Sequence, residues 1–355
     1  MSTNVVTDTQ PIVLPYTSVH YTNAINQLPS QFGQLAAEGM FPVESMSGPI
    51  VEVDIENGVI SALPVTDPEA PSTFAKKNTG HALFFRVPNI SHLHTIRAAD
   101  IRGMLQKANR RADPKTLAGE VNKELAKLRR KADITLELMR MSSLKGVLID
   151  GAGNEIYDFY TAFGVTKKVV YFDLGTAGTN VLDKCQEVIG HIEDNLSDET
   201  MTNVVAKVST QFFNKLIAHA KVEKFWLNWQ AAQALANPAT IADGQYRPRV
   251  FTFGNITFVE YSANVPMWGG TSSRIIEAGK GHAYPAGTGD THYTYAAPPV
   301  DIRALDMPGS SDEDILHVTD KYLDHGAGLE LKGQLNAMPL WRRPALLVEL
   351  SDAAS

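Results

Sequence analysis

The sequence predicts an α+β fold. Three observations carry that reading: one long amphipathic helix between Asp113 and Lys145, alternating strand patterns on either side of it, and a later stretch where the two patterns mix. The helix is the most informative. Asp113 can cap it, and Pro114 suits its first turn, where a missing N–H costs nothing. Leu117, Val121, Leu125, Leu128, Ala132, Leu136 and Met139 recur in steps of four and three and draw one apolar stripe. Gly146 is placed to end it. A helix over 114–145 spans roughly 48 Å at 1.5 Å per residue, so it needs a surface to lie across. Val147 to Ile149, the turn Asp150 to Asn154, and Ile156 to Tyr160 then read as a β-hairpin.

Residues 1–45 mix Pro, Ser, Thr, Gln and Asn with few periodic apolar positions and read as an extended arm. Ile50 to Leu63 reads as a hairpin, with Val51, Val53 and Ile55 alternating against acids before an Asn57-Gly58 turn. Pro64, Pro68 and Pro71 lead to a second strand, Ala82 to Val87. Beyond Lys168 a short strand, Val169 to Asp173, precedes a helix lined by Val181, Leu182, Cys185, Val188, Ile189, Ile192 and Leu196. A further helix is expected over Val204 to Phe225, then sheet segments at Arg249 to Glu260 and Ala283 to Pro285. Near the C-terminus Ala327, Leu329, Leu331 and Leu335 alternate with polar residues, so one strand face is buried and one wet. Leu346, Val348 and Leu350 make a last strand.

Composition excludes several classes. Hydrophobic residues make up 44% of the 355, enough for a substantial core. The lone Cys185 excludes an intramolecular disulfide framework and fits a reducing compartment. The polar start, Met1 to Asn4, lacks a signal-peptide layout, and no apolar run approaches the ~20 residues of a membrane span. A soluble protein, intracellular at synthesis, is expected. Net charge is −7, unlike a free nucleic-acid-binding protein. Yet residues 97–145 hold thirteen Lys/Arg against six Asp/Glu, which leaves −14 elsewhere. A solvated helix face with ion pairs explains this. The sharper alternative is weak, sequence-independent contact with DNA or between subunits through Arg129, Arg130 and Lys131.

Signals for catalysis are scarce. The sequence has no phosphate-cradling Gly-x-x-x-x-Gly-Lys-Ser/Thr loop and no Gly-x-Ser-x-Gly nucleophile turn. His92 and His94 would share one strand face but lack the further ligands a metal needs. Cys185 sits on an apolar helix face, where a free Cys behaves as a small hydrophobe. Gly279 to His282 and Gly287 to Asp290 lack the strand-loop-helix context of a nucleotide loop and read as turns. The aromatic run Phe225 to Trp229 fits core or subunit contact. No enzyme, cofactor or metal is expected.

Several long segments resemble the major capsid protein E family of lambda-like tailed phages. They are Leu128 to Glu137, Leu144 to Asp150, Asp158 to Gly164, Val170 to Thr176, Asn214 to His219, Phe253 to Tyr261, His282 to Gly287, Gly328 to Leu331 and Arg343 to Val348, with weaker matches at Ile60 to Pro64, Phe84 to Ile90 and Asp100 to Gly103. The resemblance implies the tailed-phage major capsid fold: an N-terminal arm (1–45), an extended β-hairpin loop (46–95), a peripheral domain with its spine helix (96–167), an inserted axial domain (168–300) and a return segment (301–355) whose strands rejoin the peripheral domain. It implies a shell built of hexamers and pentamers around double-stranded DNA, in the virion after assembly in the host cytoplasm. Scaffold, portal and decoration proteins are implied partners. Two stretches depart from the family pattern, Ala297 to Ala304 and the acidic Ser310 to Asp314. The alternatives are a protein-cargo shell of the same fold, told apart by its contents, and a soluble α/β enzyme, told apart by a small oligomer with a ligand.

Overall fold

The computed structural model describes residues 33–55, 81–97, 117–196, 199–236, 248–302 and 315–353. In chain order, α1 (Gln34–Ala37) and β1 (Val43–Ser45) precede β2 (Ile50–Ile55), β3 (His81–Arg86) and β4 (Ile90–Arg97). The long helix α2 (Leu117–Leu144) leads into β5 (Val147–Ile149), β6 (Glu155–Asp158) and α3 (Phe159–Phe163). Next come β7 (Lys168–Tyr171), α4 (Val181–Leu196), β8 (Asn203–Val208), α5 (Thr210–Ala218) and α6 (Glu223–Ala236). The strands β9 (Val250–Phe253), β10 (Ile256–Glu260), β11 (Asn264–Pro266), β12 (Ser272–Arg274), β13 (Lys280–Ala286) and β14 (His292–Ala296) follow. The chain closes with β15 (Leu316–Tyr322), β16 (Gly328–Leu335), β17 (Ala337–Trp341) and β18 (Val348–Ser351).

Helix α2 has two differently buried halves. Its N-terminal half puts Val121, Leu125 and Leu128 against Leu329 and Leu331 of the sheet β15-β16-β4. Its C-terminal half is buried on every side from Leu136 to Leu144 and joins a core containing Phe41, Phe85, Phe159, Tyr295 and Trp341. Gly146 ends the helix as its position predicts. It has φ +82°, and a Cβ there would sit 2.2 Å from the Tyr160 ring, so glycine alone fits. Asp158 caps α3 by accepting from the Tyr160 N–H.

The second large core lies under a six-stranded mixed sheet, ordered β7-β18-β13-β8-β10-β9. Ala206, Val208, Ala283, Val348 and Leu350 pack with Val181, Cys185, Val188 and Ile192 of α4 and with Phe212, Phe213 and Leu216 of α5. The opposite face of that sheet carries a polar row, in which His282 is in register with Glu349 on one side and Lys207 on the other.

The structure corrects several sequence expectations. Residues 50–55 pair with 81–86, which gives β2 a partner in β3; the Asn57-Gly58 turn and the rest of the hairpin expected over 50–63 lie outside the described residues. Strand β4 pairs with β16 in the sheet beside α2. The helix expected over Val204 to Phe225 divides into strand β8 and helices α5 and α6. Flanking strands recruit the β-branched run of β8, and Ser209 then caps α5 by accepting from the Phe212 N–H. Residues 33–45, expected in an extended arm, are docked, with Leu35 and Phe41 buried. The return segment divides: β16 and β17 meet α2, whereas β18 enters the six-stranded sheet between β7 and β13. Strand β13 begins at Lys280, which leaves Gly279 and Gly287 as its bounding turns, both at positive φ.

Candidate functional site

For a chain with no catalytic motif the functional features are its internal joint and its charged and apolar surfaces. Segment 33–45 crosses the joint between α2 and the polar face of the six-stranded sheet. The buried Glu137 of α2 accepts from the N–H groups of Leu35 (2.9 Å) and Ala36 (3.3 Å) and from the Tyr261 hydroxyl (2.8 Å). Two residues past Ala36, Glu38 receives the ammonium of Lys207 at 2.6 and 2.7 Å. Lys207 is completely buried on β8, and that burial pushes its pKa down while Glu38 pulls it back. Phe41 then packs edge-on against Trp341, on which His292 lies flat at 4.7 Å between centroids. Burial holds the His292 pKa down at about 4. Strand β1 finishes the clasp by pairing in parallel with β14.

Sequence reasoning missed this joint. Lys207 sits in a run of valines and alanine, which signals a strand with one unusual polar position. Nothing local marks its partner 169 residues away.

The three cations singled out on α2 do not act as one patch. Arg129 is ion-paired with Asp133 at 3.1 Å. Lys131 contacts His92 Nε2 at 2.8 Å, so the neutral imidazole accepts from the ammonium. Burial, then the nearby Lys131 charge, lowers the His92 pKa. Arg130 is exposed. Two further helix cations, Lys123 and Lys127, meet Glu120 and Glu124 one turn away. His92 and His94 do share a strand face, and that face looks onto α2: His94 pairs with Glu124 at 3.1 Å.

Cys185 is fully buried, and burial pushes its thiol up to about 12. Among the described residues no cluster of three or more His, Cys, Asp or Glu could hold a metal, and no helix is long and apolar enough to cross a membrane. Trp226 and Trp229 of the aromatic run pack on Phe251, whereas Phe225 and Leu227 are exposed.

A long helix laid across one sheet, beside a second sheet with its own helices, is therefore the frame. The family model described as phage major capsid protein E matches residues 17–351. The chain belongs to that family. The major capsid protein of Salmonella phage Felix O1 is 25% identical over 350 residues, covering 93% of this chain and 94% of the relative. That of Pseudomonas phage KPP10 is 29% identical over 276 residues, 75% of this chain and 76% of the relative. A crystal structure described as a prophage capsid protein from E. coli CFT073 superposes with a TM-score of 0.56 over 95% of this chain and 99% of that one, at 10% identity. At that identity the likeness speaks for the fold, which is the tailed-phage major capsid fold. The chain is a major capsid protein of a phage head, a virion component that assembles with copies of itself into a shell.

Proposed function

We propose that the chain forms rings of six and five subunits that close into an icosahedral shell around double-stranded DNA. The carrying observation is the family match over residues 17–351, which takes in both cores and the joint between them. The role is geometric and not enzymatic. A subunit tiles by heterologous contacts that close into rings, and many modest contacts make the closed shell far more stable than any one of them. In this reading the six-stranded sheet with α4 and α5 forms the axial unit, and α2 with the sheet β15-β16-β4 forms the peripheral one. The β2–β3 ribbon reaches across a neighbour. Assembly takes place in the host cytoplasm, with scaffold, portal and decoration proteins as partners. Packaged DNA meets the shell through weak, sequence-independent contact. Of the α2 cations, Arg130 and Lys131 suit that role better than Arg129, whose guanidinium is engaged by Asp133.

Electron microscopy of the chain expressed alone and with candidate scaffold proteins tests this reading. Closed shells in either sample support it. Small oligomers in both would contradict it.

A further inference from the structure

The sheet β15-β16-β4 hides one face against α2 and turns the other outward. On that outer face Leu93, Lys332 and Thr319 form one cross-strand row, and Thr95, Glu330 and Lys321 form the next. The segment Pro298 to Ile302, part of the stretch that departs from the family pattern, is strapped across one end. The Val300 N–H donates to Gln334 Oε1 (3.2 Å), and Gln334 Nε2 donates back to the Val300 carbonyl (3.4 Å). Asn336 Nδ2 donates to the Pro298 carbonyl (2.9 Å), and Asp301 faces His317 at 3.8 Å. These bonds hold an irregular segment in one place, yet they turn its apolar side chains away from the protein. Val300 is 68% exposed and Ile302 83%, beside Leu93 at 55%. Between them lies a groove of about 350 Å³, bordered also by Asp320, Lys321, Glu330 and Lys332.

Isolated exposed aliphatics are ordinary, but three around one groove on a tethered strap mark a contact surface. Its charges identify the occupant. A DNA-facing surface is positive, whereas this one sets two lysines, Lys321 and Lys332, among three acids, Asp301, Asp320 and Glu330. Such a surface complements itself when two copies meet about a two-fold axis, where each lysine pair faces the other copy's acids. We propose that this strap-and-sheet face packs against the same face of a second copy of the chain in the assembled shell. The inference rests on the shell reading given above and adds a specific contact to it.

Two variants test it beside the wild type. The double substitution Val300→Asp/Ile302→Asp changes only exposed side chains, so the subunit is expected to melt like the wild type while shell yield falls at least tenfold. Ile302→Cys places a reactive thiol in the patch of a chain whose own Cys185 is fully buried. Mild oxidation of assembled Ile302→Cys shells is expected to give covalent dimers on a non-reducing gel, and unassembled subunits are expected to give none. Wild-type yields of shells from the double variant overturn the proposal, as do Ile302→Cys shells that stay monomeric on oxidation. A map of the shell showing a different polypeptide over the patch also overturns it. If the wild-type chain forms no shells, the shell reading falls and takes this inference with it; wild-type shells with indifferent variants overturn this inference alone.

Discussion

Lys207 is the residue on which the joint depends. Its side chain is buried and its ammonium is held by Glu38, whose carboxylate reaches solvent. Removing either partner should therefore have unequal effects. Glu38→Ala leaves a buried charge unpaired and should cost about 3 kcal/mol, while Lys207→Met should cost much less. The double variant should recover most of the loss, and a double-mutant cycle from chemical denaturation checks all three values. Gly33 is equally constrained: at φ +122° a Cβ would meet Glu137 Oε2 at 2.5 Å. Gly33→Ala should destabilise by about 1–3 kcal/mol, read as a lowered Tm. Acid should act through His292. Its folded pKa of about 4 lies below the ordinary 6.5, so the unfolded chain takes up the proton first. Stability from this group is full above pH 6.5, falls by up to about 3 kcal/mol as the pH drops toward 4, and levels off below. His292→Phe keeps a ring on Trp341 and should flatten part of that decline in a pH series of melts. The fully buried His282, whose pKa burial also lowers, should sustain the rest. Of these residues only the glycine stop at 146 was legible in the sequence. Glu137 and Lys207 look like surface charges until the strands and helices that bury them are assembled.

At the scale of elements, periodicity succeeded where one face decides the burial. The stripe on α2 and the apolar face of α4 follow their 3.6-residue spacing, and β16 follows its alternation. It failed at β8, because Val204, Val208, Phe212 and Leu216 step by four straight through a strand, a cap and a helix. At β2 the pairing with β3 is one that no local turn signal marks. The N-terminal segment shows why composition misleads. Residues 33–45 fall inside a longer stretch, 1–45, that reads as an arm, yet Leu35 and Phe41 are core residues and Glu38 reaches the far sheet. Truncation should therefore separate two roles. A chain lacking residues 1–32 should keep nearly the wild-type Tm and assemble poorly. A chain lacking 1–45 loses two buried side chains and uncovers Glu137 and Lys207, a deficit on the order of the whole stability of an ordinary domain. Thermal melts and sedimentation of the two truncations distinguish these outcomes.

The whole molecule follows from the joint. One strap ties α2 to the six-stranded sheet through Glu137 and Lys207, which links the two cores within one subunit. The family was legible from long ordered segments, but the placement of β18 was not: the last strand of the return segment enters the other sheet between β7 and β13, and only pairing reveals that. Charge at this scale should matter weakly. Arg130→Ala/Lys131→Ala should leave folding and shell formation unchanged and lower the salt dependence of DNA retention only modestly, measured as DNA protected per particle at two salt concentrations. The most direct test of the account is electron microscopy of the chain produced with its candidate scaffold proteins, beside nuclease-treated native particles. Closed icosahedral shells, with DNA protected inside the native ones, are the expected result. Discrete small oligomers in every sample, with no protected DNA, would contradict it.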